Sequence, residues 1–197
     1  MPPLDIHSVS KLYSAEEIAA RIQALSGEIA EAMPDDILVM AILKGGFVFA
    51  ADLIRALHGS GMHPRVDFMT LSSYGAGKES SGKVTIACDI SDEIKDADIL
   101  LVDDILESGG TMATARALLL ERGARSVKIC ILLDKPGKRK VECEADFCGF
   151  VVPDLFIVGY GLDFAHYYRD LPFIGTIDQG LIPARKGCYG ADTAGGR

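Results

Sequence analysis

Apolar residues in this chain cluster into short runs, at residues 37–43, 66–71, 84–90, 99–102 and 127–133. Between them lie longer stretches in which apolar residues recur at helical spacing. Ser14-Ala15-Glu16-Glu17 has the form of a capping box and opens a helix through about Met33, which Pro34 ends. A second helix is predicted over residues 46–54, and a third begins after Gly110. Strands alternating with helices predict an α/β fold, a parallel twisted sheet flanked by helices on both faces. After Lys140 the pattern changes, and residues 147–152 and 156–160 read as two short strands separated by Pro153-Asp154. We expect these, with N-terminal residues, to form a small hood drawn from about 141–177. A single domain over 1–180 follows, with residues 181–197 as a Gly- and Ala-rich tail predicted to be poorly ordered.

The segment from Ile99 to Thr111, ILLVDDILESGGT, holds the most chemistry. Its four leading apolar residues suit a strand buried on both faces, so that Asp103 and Asp104 emerge at the C-terminal edge where open α/β sheets bind ligands. Ser108, Gly109, Gly110 and Thr111 then form a turn at a helix start, where free backbone N–H groups and the helix dipole favour an anion. No Lys follows the glycines, so this is not the lysine-bearing phosphate loop of nucleotide hydrolases. Two carboxylates beside a phosphate nest suit sugar hydroxyls and a divalent cation such as Mg²⁺, hence a phosphorylated ribose. The alternative is an acidic loop that merely caps the helix through Ser108 or Thr111.

Composition narrows the classes. A net charge of −8 with no long basic cluster argues against nucleic acid as a partner. Lys138, Arg139 and Lys140 read as a solvated turn, whereas Lys135 directly follows an apolar strand. Five cysteines show no metal-ligand spacing and read as reduced thiols, and the four histidines show none either. No segment reaches the length of a membrane span and no leader pattern opens the chain, so a cytoplasmic protein is expected.

The run from Val102 to Thr111 resembles the signature of the type I phosphoribosyltransferases. Four further segments are similar to the hypoxanthine-guanine branch of that family: Leu43-Lys44-Gly45-Gly46, Ser72-Ser73-Tyr74-Gly75, Leu133-Asp134-Lys135-Pro136, and residues 156–163 with Tyr168-Arg169-Asp170-Leu171. The resemblance implies a type I phosphoribosyltransferase fold and transfer from 5-phosphoribosyl 1-pyrophosphate (PRPP) to a 6-oxopurine, with Mg²⁺ and a homodimer or homotetramer. Asp103 and Asp104 would then meet the ribose hydroxyls, partly through Mg²⁺, and Ser108, Gly109, Gly110 and Thr111 the 5-phosphate. Lys44, Gly45 and Arg169 would hold pyrophosphate, with a cis peptide before the Gly. Ser73 and Tyr74 would belong to a closing lid. Lys135, Phe156 and Ile157 would read the purine, and Asp163 would bind Mg²⁺ on pyrophosphate. Glu107 falls where the family carries Asp as the group that takes a proton from the purine. The resemblance leaves a xanthine-preferring transferase, or a PRPP-sensing regulator on the same fold, as alternative readings.

Overall fold

In the computed structural model, residues 8–73, 84–86, 94–178 and 180 are described. They form two sheets. The larger runs in the order β4-β3-β2-β5-β6-β7, with β2 Ile37–Leu43, β3 Arg65–Ser73, β4 Val84–Ile86, β5 Asp98–Leu106, β6 Ser126–Asp134 and β7 Phe147–Val151. All neighbours are parallel except β4, which returns antiparallel to β3. The smaller sheet is β1-β9-β8, built from β1 Val9–Tyr13, β8 Phe156–Val158 and β9 Ile174–Ile177, antiparallel throughout.

Each helix starts and stops for a visible reason. In α1, Ala15–Ala32, Ser14 Oγ accepts from the Glu17 amide while the Glu17 carboxylate accepts from the Ser14 amide, the reciprocal capping box read from the sequence. α2 spans Phe47–Gly59, five residues past the predicted end, because Leu57 is fully buried and the apolar face does not stop at Ile54. α3, Gly110–Glu121, starts at Gly109, whose φ of 85° is a left-handed conformation that glycine adopts without penalty. The N-cap itself has no side chain, and Ser108 Oγ accepts from the Gly110 amide at 3.4 Å, so Ser108 does contact the helix start as the capping reading allows.

α1 and α2 bury Ile18, Ile22, Leu25, Ile29, Phe49, Leu53 and Leu57 against one face of the large sheet. The other face packs with α3 through Met112, Ala115 and Leu119. Burial on both faces explains why β2, β5 and β6 read as continuous apolar runs rather than alternating ones. Each fully buried Leu, Ile or Phe contributes roughly 1.5–3 kcal/mol of transfer free energy, so these two layers hold the sheet edge in place.

Two expectations are corrected. Residues 147–151 do not join the hood: β7 pairs parallel to β6 and extends the main sheet. Arg21 of α1 donates to the Cys148 and Gly149 carbonyls and so covers the edge that β7 leaves open. Asp103 and Asp104 do not follow the strand but lie within it, since β5 continues to Leu106. The segments 1–7 and 181–197, with Tyr74, Cys88 and Cys188, lie outside the described residues, as do the side chains of Ser72 and Ser73. Among the described residues no helix is long and apolar enough to cross a membrane.

Candidate active site

The C-terminal ends of β2, β5 and β6 lie side by side in the sheet, and each delivers part of one site. At the centre, β5 supplies Asp103 and Asp104, both less than a tenth exposed. The Asp104 amide donates to Asp103 Oδ1 at 2.9 Å. Burial pushes the Asp103 carboxyl well above its ordinary pKa, and the neighbouring Asp104 charge adds to the rise. Asp104 is also raised by burial, against the opposing pull of hydrogen bonds and the Arg169 charge. Two buried acids held this way have a standing demand for a cation or for donors.

Beyond the acids the chain turns through Glu107, Ser108 and Gly109 into α3. Among the described residues the N–H groups of Gly109 and Thr111 have no protein acceptor, and they sit at the positive end of the helix dipole. The same turn and both acids line a cavity of about 220 Å³. Its loop carbonyls are occupied from behind: Lys140 and Val141 donate their amides to Ser108 O at 2.9 and 3.1 Å.

From β2 comes the turn Lys44-Gly45-Gly46. A Cβ at Gly45 would lie 1.8 Å from Asp104 Oδ2, so only glycine lets this turn approach the acid pair. The cis peptide is Leu43–Lys44, one bond earlier than the sequence reading placed it. Lys44 itself is exposed.

β6 ends at Asp134 and presents Lys135, a buried cation. Its Nζ donates to Leu155 O at 2.7 Å and to Glu107 Oε1 at 3.4 Å. Glu107 is half-exposed, so one end of this ion pair faces solvent. Phe156 meets Phe164 edge to face with ring centroids 5.4 Å apart, and Ile157 is buried beside it in β8. Arg169 reaches in from the hood segment. Its Nη1 donates to Gly161 O at 2.5 Å and its Nη2 pairs with Asp163 at 2.6 Å, not with Asp170. Asp163 also accepts from the His166 amide at 2.8 Å.

Tyr160 donates to Asp52 of α2, which anchors the hood loop to the main domain. The thiols of Cys130, Cys143 and Cys148 are all pushed up by burial, in keeping with reduced, unreactive cysteines.

The structure thus gathers Gly45, Asp103, Asp104, Glu107, Ser108, Gly109, Lys135 and Arg169 along one sheet edge. Sequence reasoning missed Arg139, which turns inward: Nη1 donates to Leu106 O and Glu107 O at 2.8 and 2.9 Å and Nε to Cys143 O at 2.8 Å. Its Nη2 pairs with Asp134. The one signal was a guanidinium among lysines, since Arg suits several fixed acceptors at once.

Comparison with known proteins agrees with this geometry. The phosphoribosyl transferase domain model matches residues 8–165. The chain is 42% identical over 174 residues to the hypoxanthine phosphoribosyltransferase of Escherichia coli (strain K12), covering 87% of this chain and 96% of that one. It is 43% identical over 173 residues to the hypoxanthine-guanine phosphoribosyltransferase of Bacillus subtilis (strain 168), covering 87% and 94%. A crystal structure of a hypoxanthine-guanine phosphoribosyltransferase from Bacillus anthracis superposes with a TM-score of 0.80 at 40% identity, covering 86% of this chain and 98% of that one. With its sheet order, its acid pair and its glycine turn, the chain belongs to the phosphoribosyltransferase family, in the branch of the hypoxanthine phosphoribosyltransferases.

Proposed function

We propose that this protein is a purine salvage enzyme that transfers the phosphoribosyl group of PRPP to hypoxanthine, and to guanine, giving IMP or GMP and pyrophosphate. The observation that carries this reading is the junction of an acid pair with a helix-start anion cradle, flanked by a buried lysine on β6. A phosphorylated ribose needs the first two together, and a 6-oxopurine the third.

In the reaction, purine N9 forms a bond to ribose C1′ while the bond from C1′ to the pyrophosphate oxygen breaks. The N–H groups of Gly109 and Thr111, with the Ser108 and Thr111 hydroxyls, bind the 5-phosphate. Asp103 and Asp104 accept hydrogen bonds from the ribose hydroxyls, which fixes C1′ for in-line attack. Lys44, the Gly45 turn and Arg169 receive the pyrophosphate, where a guanidinium can pair with two oxygens. Lys135 donates to the purine 6-oxo oxygen. An ammonium has no acceptor for a 6-amino group, so adenine is disfavoured. Phe156 stacks on the ring and Ile157 offers backbone groups to its edge.

A proton must leave the purine ring nitrogen, and Glu107 is the carboxylate beside Lys135 that can accept it. Its carboxylate pairs with Lys135 at 3.4 Å, which places the proton acceptor and the 6-oxo donor side by side at the base site.

The acid pair also fits Mg²⁺. Among the described residues no three ligating side chains cluster into a metal cage. Mg²⁺ typically takes one or two carboxylates and completes its shell with water and substrate phosphates, so Asp103 and Asp104 suit a metal that arrives with PRPP. When bound, it neutralises charge on the substrate. Asp163 already pairs with Arg169, so its contribution to a metal on pyrophosphate requires that pair to loosen.

The test is phosphorus NMR of PRPP mixed with hypoxanthine, protein and Mg²⁺. Equimolar IMP and pyrophosphate are expected, and loss of turnover on chelation. PRPP left intact with every purine would overturn the proposal.

A further inference from the structure

We infer that Arg139 is a positioning residue that holds the phosphate cradle open by fixing the carbonyls of its entry turn. The inference rests on the reading of residues 108–111 as the 5-phosphate site. A peptide unit points its N–H and C=O in opposite directions. A turn can therefore present amides to an anion only if its carbonyls find donors on the far side. Apart from the Lys135 amide, which also donates to Leu106 O at 3.0 Å, those donors come from one short segment. Arg139 Nη1 takes Leu106 O and Glu107 O at 2.8 and 2.9 Å, and the Lys140 and Val141 amides take Ser108 O. Three consecutive carbonyls, those of residues 106, 107 and 108, are thereby held toward the 139–141 segment.

The guanidinium is itself held. Nε donates to Cys143 O at 2.8 Å, Nη2 pairs with Asp134, and about four-fifths of its side chain is buried. The planar fork is needed because the acceptors lie on several sides of one group. A lysine at this position would keep the charge but reach only part of the set. Arg139 itself is directed to carbonyls and to Asp134, so its action on phosphate passes through the backbone. The 3₁₀ turn Pro136–Lys138 places Lys135 and Arg139 at its two ends, and the Lys135 ammonium is held separately by Leu155 O at 2.7 Å, so base reading does not depend on the guanidinium. Lys138, by contrast, points outward to Asp154, and Lys140 is exposed.

The experiment compares wild type with Arg139→Ala and Arg139→Lys in three readouts: KM for PRPP and for hypoxanthine with the other substrate saturating, and hydrogen exchange of amides 107–111 with and without ribose 5-phosphate. Thermal melts establish that both variants fold. Both variants are expected to raise the PRPP KM about tenfold or more, in line with loss of charge-assisted hydrogen bonds, and to leave the hypoxanthine KM within about threefold. Exchange at 107–111 should quicken in both free variants, and methylguanidine, but not methylammonium, should restore the PRPP KM of Arg139→Ala. A PRPP KM unchanged in both variants, an equal rise in both KM values, or full rescue by Lys would overturn the inference. Should ribose 5-phosphate fail to slow exchange at 108–111 in wild type, the reading of the cradle itself is wrong. That failure is seen without any variant.

Discussion

Gly45→Ala tests the closest approach in the site. The added Cβ would lie 1.8 Å from Asp104 Oδ2, 2.6 Å from its Cγ and 3.0 Å from Oδ1, and real Cβ contacts essentially never fall below 3.0 Å. Asp104 is buried, and its short side chain can yield by swinging into the site cavity it lines, away from Asp103. Either the carboxylate rotates away from its place beside Asp103 or the 43–46 turn retreats by about an ångström. Overpacking of this kind costs about 1–3 kcal/mol. For a domain of this size that lowers Tm by about 2–12 °C. On the proposed reading, in which Asp104 binds the ribose, turnover should fall as well, because a displaced Asp104 would forfeit a charged hydrogen bond of roughly 1.5–3 kcal/mol, or about 10- to 150-fold in kcat/KM. Gly137→Ala is the control, since a Cβ there meets nothing within 4 Å. Its stability should stay within about 0.5 kcal/mol of wild type. Melting curves by circular dichroism and steady-state kinetics on PRPP provide the assay. A Gly45→Ala protein that matches Gly137→Ala in both would refute the steric reasoning.

Other outcomes follow from the same geometry. Glu107→Gln keeps an acceptor for Lys135 but cannot take a proton, so kcat should fall by about 10²–10⁴-fold with the PRPP KM little changed; parallel losses in kcat and PRPP affinity would remove Glu107 from proton transfer. The Asp98 carboxyl is held below its ordinary pKa, chiefly by hydrogen bonds from Arg125 and Ser126. A lowered carboxylate pKa gives stability that is present above the unfolded value of 3.8 and lost as pH falls through the folded one. Asp98→Asn should therefore lower unfolding stability at pH 7, by no more than about 1 kcal/mol because Arg125 is largely exposed, and converge with wild type in acid; a constant offset across pH would contradict the assignment. Phe49→Ala empties a fully buried ring position beneath the sheet and should cost about 3–5 kcal/mol in urea unfolding; a cost under about 1 kcal/mol would mean the α2 layer is not packed as described.

Much of this architecture was legible in the residues. β2, β5 and β6 announce themselves because strands buried on both faces leave little room for polar side chains, and the Ser14–Glu17 box marks a helix start by its own hydrogen-bonding logic. The acid pair and glycine turn could be located for the same reason: their chemistry is local. What was not legible depends on partners distant in sequence. Phe147–Val151 is a short apolar run, and nothing within five residues tells whether it pairs with β6 or with the hood. The inward turn of Arg139 depends on carbonyls at 106 and 107, more than thirty positions away, so a run of basic residues reads as solvated until the fold brings that turn beside it. Tyr160 and Asp52 are likewise unremarkable alone and meet only because the hood folds back over α2.

The most direct test of the account is pyrophosphate release from PRPP and Mg²⁺ with hypoxanthine, guanine, xanthine and adenine supplied one at a time. The account predicts rapid release with hypoxanthine and guanine and release at least about 100-fold slower with adenine, whose 6-amino group leaves the buried Lys135 without an acceptor. Adenine turning over as fast as hypoxanthine, or no release with any of the four, would contradict it.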